Sequence, residues 1–164
     1  MNIKRMTVLA LLTSLALIIF VVELQMPPIA PIPGMKIGFA NIVTVYAVYK
    51  FNARECALLL LSRILLGCLL AGNMISLIYS LSGGALCLAG MLLLHKVIDK
   101  KHMWVCSILG AVLHNIGQTV AALALMQTAA VLSYFPFLTA VGCVAGLFTG
   151  ICAQLVVDRI DLSD

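Results

Sequence analysis

The chain has 164 residues, of which 63% are hydrophobic and 10% charged, and its mean hydropathy is +1.17. Soluble domains are closer to half apolar and a quarter charged, so the composition excludes an ordinary soluble domain and predicts a membrane protein. The formal net charge of +4 does not indicate nucleic-acid binding, because the basic residues lie in loops beside apolar segments. The length accommodates about six spans of roughly 20 residues in a single integral membrane domain, residues 1–164.

Six apolar segments follow one another along the chain. The first could be a signal peptide, but Glu23, Gln25 and two prolines follow it instead of a cleavage site, so we expect a retained helix. Four prolines within residues 27–33 exclude a helix there. The second segment is short for a full crossing. The predicted segments are residues 7–26, 36–48, 54–70, 73–94, 103–126 and 134–157.

The basic residues predict the orientation. If the N-terminus lies in the cytoplasm, Lys36 is the basic residue that falls on the outer side. The positive-inside rule therefore predicts six spans with both termini in the cytoplasm. The residues assigned to the inner side are Lys4, Arg5, Lys50, Arg54, Lys96, Lys100, Lys101 and Arg159.

Arg63 lies in the middle of the third apolar segment. A guanidinium at the centre of a bilayer costs about 3 kcal/mol on insertion scales, so something must face it. An acidic partner, a water-filled cavity and an anionic ligand are the alternatives. Glu23 could pair with Arg63 or Lys36, although we expect Glu23 at the lipid headgroups. Our hypothesis is that Arg63 faces a cavity shared with His114 and Gln118.

The fifth segment carries His114 and Gln118, which are four residues apart and share a helical face near Gly110 and Gly117. A ligand or cavity role is favoured for this pair. Asn115 points about a hundred degrees away, and hydrogen bonding between helices explains it better. No second His, Cys or carboxylate lies at ligand spacing beside His114, so a metal site is not predicted.

Small and polar residues mark three further helical faces. In the fourth segment, Asn73, Ser76 and Ser80 share a face, and residues 82–84 predict either a kinked or broken helix or close helix packing. Ala10 and Ser14 in the first segment have the spacing of a helix-association face. A glycine at every fourth position of the sixth segment favours internal packing: Gly142, Gly146 and Gly150.

The sequence contains no enzyme signature. A synthase that transfers prenyl groups needs clustered aspartates to hold Mg²⁺ on a diphosphate, and the three aspartates of the C-terminal tail are better explained as a solvated end. No phosphate-binding loop of the G-x-x-x-x-G-K-[ST] type is present. The six cysteines lie in or beside apolar segments without C-x-x-C spacing, so we interpret them as small buried hydrophobes.

Several motifs together resemble a known family. The chain is similar to the Gx transporter family, which is also named heptaprenyl diphosphate synthase component I. The resemblance covers nearly the whole chain in the family's order. The motifs that carry it are PGMKIGFANIVT at 33–44, RILLG at 63–67, YSLSGG at 79–84, GAVLHNIGQ at 110–118 and YFPFL at 134–138.

The family in turn looks similar to the substrate-binding S components of energy-coupling factor transporters. This resemblance implies a six-helix bundle in a bacterial cell membrane that docks on a T component driven by two ATPase subunits, with no cofactor. It implies docking through Ala10 and Ser14. The implied substrate site comprises Lys36, Asn41, Arg63, Asn73, Ser80, His114 and Gln118.

The resemblance leaves the cargo and the role open. An isoprenoid, quinone-related or flavin-related compound is the implied cargo. One alternative is a non-catalytic membrane subunit of heptaprenyl diphosphate or menaquinone synthesis, since the chain lacks the metal-binding aspartates of a synthase. Another is a membrane component of a flavin-based electron-transfer chain.

Overall fold

The computed structural model describes residues 3–26 and 36–159, and these residues form helices and their connections. The described part of the chain is therefore all-α, as predicted. Two short 3₁₀ helices, Lys100–His102 and Ala129–Tyr134, precede the last two long helices. The long helices are α1 (Ile3–Leu24), α2 (Asn41–Lys50), α3 (Ala53–Ala71), α4 (Met74–Leu94), α5 (Met103–Met126) and α6 (Phe135–Arg159).

Four helical stretches in the described residues are long and apolar enough to cross a membrane: Ile3–Leu24, Met74–Leu94, Lys100–Met126 and Ala129–Arg159. They make the chain a multi-pass membrane protein. The third helix, α3, has 19 residues and carries three charged side chains. In contrast, α2 has 10 residues and begins at Asn41 rather than at residue 36. At 1.5 Å per residue it spans about 15 Å, half of a typical hydrocarbon core. Six full-length spans are therefore not confirmed.

After α1, the chain nevertheless runs back to the end of the bundle at which α1 begins. Arg5 Nη1 lies 3.5 Å from Glu55 Oε1, which places the first turns of α1 and α3 at the same end. Tyr49 Oη donates to the carbonyl of Ile98 at 3.3 Å and brings the end of α2 to the α4–α5 connection. The basic residues of these connections thus collect at one end. The side of the membrane that this end faces stays a prediction.

The short helix α2 is the centre of the bundle. It contacts each of the other five long helices, whereas α1, α3, α4, α5 and α6 pack mainly against their neighbours in that order. Most of its side chains are buried, including Val45, Tyr46 and Ala47. The non-helical residues 36–38 and the turn at 39–40 lead into it. Such backbone is tolerated at membrane depth only where protein surrounds it or it lines a cavity.

Glycines allow α5 to approach both neighbouring helices closely. A Cβ added to Gly150 of α6 would lie 2.5 Å from Trp104 Cα, and one added to Gly146 would lie 3.0 Å from Ile108 Cα. On the other side, a Cβ at Gly117 would lie 2.6 Å from the Ser82 carbonyl oxygen. The packing role predicted for the glycines of α6 is therefore confirmed. Helix α4 runs unbroken through residues 82–84, so close packing is right and the broken-helix alternative is wrong.

Candidate functional site

A small cavity lies between α1, α3, α4, α5 and the residues that lead into α2. Its volume is about 30 Å³. A cavity needs roughly 10–15 Å³ to hold one water molecule, so this one has room for about two. Phe20, Glu23, Gly38, Ala40 and Ile64 line it beside the predicted residues. Six of the seven predicted site residues meet here: Lys36, Asn41, Arg63, Ser80, His114 and Gln118.

Clear helix signals place Arg63 at the centre of α3. The backbone N–H of Asn52 donates to Glu55 Oε2 at 3.0 Å, which is half of a capping box and starts the helix. Gly72, with φ of +61°, ends it in the left-handed conformation. Arg63 lies midway between them, is 6% exposed and donates from Nη2 to Asn41 Oδ1 at 3.1 Å. Because a guanidinium carries five N–H donors, this bond leaves donors for the cavity.

Glu23 holds the non-helical segment against α1. Glu23 is 7% exposed, and its carboxylate accepts a hydrogen bond from the Gly38 N–H at 2.6 Å. Gly38 has φ of +88°, a conformation that favours glycine. The headgroup position expected for Glu23 is therefore wrong, because the carboxylate satisfies buried backbone. Lys36 and Arg63 are close enough to interact with it electrostatically, but neither forms a direct ion pair with it in the described part of the chain.

Lys36 lies in the connection before α2, outside the helices. Its Nζ atom is 3.7 Å from the centre of the Phe20 ring, a cation–π contact. The same atom is buried and has no hydrogen-bond partner among the described residues. Burial lowers the pKa of Lys36 to about 8, while the nearby Glu23 carboxylate opposes this shift. In the part of the chain that the structure describes, the ammonium is thus a buried donor without an acceptor.

His114 and Gln118 share one face of α5, as predicted. Gln118 Nε2 and His114 Nε2 are hydrogen-bonded at 3.0 Å. Both side chains are almost completely buried. His114 Nδ1 and Gln118 Oε1 have no hydrogen-bond partner within the part of the chain that the structure describes. Unsatisfied buried polar atoms are costly, so their presence around a cavity indicates a polar occupant.

Two polar residues near the site have other roles. Asn73 does not line the cavity; its Oδ1 caps α4 by accepting from the N–H groups of Ile75 at 3.0 Å and Ser76 at 3.3 Å. Asn115 Nδ2 donates to the Leu138 carbonyl of α6 at 2.8 Å. The prediction of an interhelical hydrogen bond for Asn115 is therefore confirmed.

Sequence reasoning missed Phe20 and gave Glu23 the wrong place. Phe20 lies three residues before Glu23, so both are on one face of α1, and this spacing was a usable signal. Glu23 is a lone carboxylate near the end of an apolar helix, which is the same kind of signal that identified Arg63. Gly38 and Ala40 belong to backbone whose path could not be derived from the sequence.

The predicted docking face of α1 is open. Ala10 and Ser14 are exposed, and Ser14 Oγ donates to the Ala10 carbonyl one turn earlier at 3.0 Å. The helix packs mainly against α3, with smaller contacts to α2, and among the described residues this leaves the small-residue face uncovered. The six cysteines are free thiols; Cys56, Cys68, Cys87 and Cys106 are buried, as interpreted.

Comparison with known proteins gives one match, which covers most of the chain. The sequence pattern of the heptaprenyl diphosphate synthase component I family matches residues 12–156. Searches of curated proteins and of solved structures found no match. The matched region includes α2–α5 in full, the second half of α1 and nearly all of α6, together with every residue that lines the cavity. The chain therefore belongs to the heptaprenyl diphosphate synthase component I family.

Proposed function

We propose that this protein is a substrate-binding membrane subunit of the S-component type. It captures a small molecule with an anionic or polar head, such as an isoprenoid, quinone-related or flavin-related compound. A separate T component and ATPase subunits then drive uptake. The observation that carries the proposal is the cavity, where Lys36, His114 and Gln118 each present a buried polar atom without a partner in the described chain.

The small size of the cavity limits which part of a ligand it can hold. Room for about two water molecules is enough for a compact polar group but not for a whole organic molecule. A bound organic ligand therefore requires one wall of the cavity to move. The transport role needs such movement in any case, because the captured molecule must later be released on the other side of the membrane.

The orientation completes the proposal. The basic connections lie at the end opposite Glu23 and Gly38, so the positive-inside rule puts the cavity nearer the outer side. In a variant without native cysteines, a cysteine at the exposed position of Ala129 should react with an impermeant maleimide added outside. A cysteine at Asp99 should react only from inside. Labelling at Asp99 from outside would reverse the orientation.

Docking through α1 has its own test. Replacing Ala10 and Ser14 with Leu should weaken association with a T component, because close helix approach needs small side chains. Binding of the small molecule by the isolated protein should survive. Val22→Leu, at another exposed position of α1, is the matched control and should change neither property. Loss of ligand binding with association intact would contradict the assignment.

A second candidate function rests on the family itself. Its name implies a partner in a synthase complex, so the chain could be a non-catalytic membrane subunit of heptaprenyl diphosphate synthesis. Affinity purification from native membranes separates the two functions. Recovery of a T component with ATPase subunits supports transport, whereas recovery of a soluble synthase without them supports the second function and contradicts the first.

A further inference from the structure

The charges around the cavity do not balance. Arg63 and Lys36 supply two positive charges and Glu23 supplies one negative charge. We count His114 as neutral, because an imidazole is mostly unprotonated at pH 7. The cavity therefore carries a net charge of +1. An uncompensated charge inside a membrane protein is costly, so the ligand that binds most favourably is one whose own charge neutralises the cavity.

The Glu23 carboxylate belongs to the protein's own structure rather than to the ligand. It accepts the Gly38 N–H at 2.6 Å, and the backbone of Phe39 stabilises the same group. Burial opposes the ionised form of this carboxylate, whereas the hydrogen bonds from backbone N–H groups and the two nearby cations favour it. We count the carboxylate as ionised on the strength of these contacts, so it offsets one of the two cations.

Most of the free hydrogen-bonding groups around the cavity are donors, and Gln118 Oε1 is an acceptor without a partner among the described residues. Lys36 Nζ has no acceptor among the described residues, and Arg63 donates only to Asn41 in that part of the chain. An ammonium and a guanidinium cannot accept hydrogen bonds. The missing group must therefore offer acceptor oxygens as well as negative charge, and the volume of about 30 Å³ restricts it to a compact head.

We propose that this cavity selects a compact group with a single negative charge, such as a carboxylate, over neutral groups and over groups with two or more negative charges. The inference rests on the small-molecule site of the proposed function and names its substrate class. A monoanion brings the cavity to neutrality, whereas a diphosphate would leave an excess of buried negative charge. A polyprenyl diphosphate is thus a poor ligand for this cavity.

Simple aromatic probes test the selection at pH 7 with the purified full-length protein in detergent. Benzoate carries one negative charge, phthalate two and benzyl alcohol none; benzenesulfonate is a tetrahedral monoanion that separates planar from tetrahedral heads. Equilibrium dialysis should show that wild type binds benzoate about tenfold more tightly than phthalate or benzyl alcohol. Equal or tighter binding of phthalate, or no binding of any anion, would overturn the inference.

Variants that change the charge of the cavity test the same inference in a second way. Glu23→Gln raises the cavity to +2 and should reverse the ranking in favour of phthalate by about tenfold. Lys36→Gln brings it to neutrality and should remove the preference for benzoate over benzyl alcohol, which keeps the test decisive if Glu23→Gln does not fold. Lys101→Gln, at the other end of the bundle, is the matched control and should keep the wild-type ranking. An unchanged ranking in both Glu23→Gln and Lys36→Gln would refute the charge count.

Failure of the inference and failure of the proposed function give different results. A benzoate preference in a protein that never copurifies with ATPase subunits leaves the charge selection intact and contradicts transport. Copurification with ATPase subunits together with tighter phthalate binding supports transport and contradicts the charge selection.

Discussion

Two groups of polar residues on α5, those that bond to α6 and those that line the cavity, differ in how their hydrogen bonds are satisfied. Toward α6, Asn115 donates to the Leu138 carbonyl, and Ser107 is hydrogen-bonded to Thr149 at 3.0 Å. Toward the cavity, His114 and Gln118 bond to each other but leave one polar atom each without a partner in the described chain. Adjacent residues of one helix thus have different roles. The groups bonded to α6 hold the two helices together, and the unsatisfied groups around the cavity are those to which our proposal assigns a ligand.

The largest expected effect concerns the side of α5 that packs against α6. Gly150→Val should place a side chain against the Trp104 backbone and lower stability by about 1–3 kcal/mol. Affinity for benzoate should be unchanged in the fraction that folds, because the cavity lies on the other face. Thermal unfolding and dialysis measure the two properties. Val144→Leu, at a position of α6 that is 70% exposed, is the control and should unfold like wild type.

On the cavity side, Arg63→Lys should keep the charge but lose the planar donor fork. We expect affinity for benzoate to fall about tenfold, or about 1.4 kcal/mol, with near-normal folding. The matched control is Arg54→Lys on the exposed first turn of the same helix, which should bind like wild type. Unchanged affinity in Arg63→Lys would show that Arg63 has a purely structural role.

The pH dependence of binding should report Lys36. Its pKa in the folded protein is lowered by burial to about 8, so the ammonium is charged below that pH and neutral above it. Benzoate affinity should therefore fall between pH 7 and pH 9, by up to about tenfold, as the Lys36 ammonium loses its charge. Lys36→Gln should show weak binding that is flat across this range. A pH profile of Lys36→Gln that matches wild type would assign the titration to another group.

The smallest effect is expected for Asn115→Ala. Hydrogen bonds between membrane helices contribute about 0.6 kcal/mol on average, so the unfolding midpoint should fall slightly. Benzoate affinity should stay within twofold of wild type, about 0.4 kcal/mol. A marked loss of affinity would mean that the two groups of polar residues on α5 are not separate.

The sequence predicted the helices and most of the cavity because their signals are local. Hydropathy located α1 and α3–α6, and the cost of a buried guanidinium singled out Arg63. The position of α2 was less predictable, since the start of a short buried helix depends on the contacts around it. Asn73 caps α4 and does not line the cavity, and the sequence could not show this because a capping asparagine and a ligand-binding asparagine have the same signal at the end of a span. Glu23 was misplaced because its partner, the Gly38 N–H, is backbone and has no sequence signature.

Native mass spectrometry of the gently purified protein tests the central claim most directly. We expect wild type to release a small molecule with one anionic group, and Asn115→Ala to release the same molecule. Arg63→Lys, purified identically, should have lost most of it. Wild type without a bound small molecule, or equal retention by Arg63→Lys, would contradict the assignment of this cavity as the substrate site.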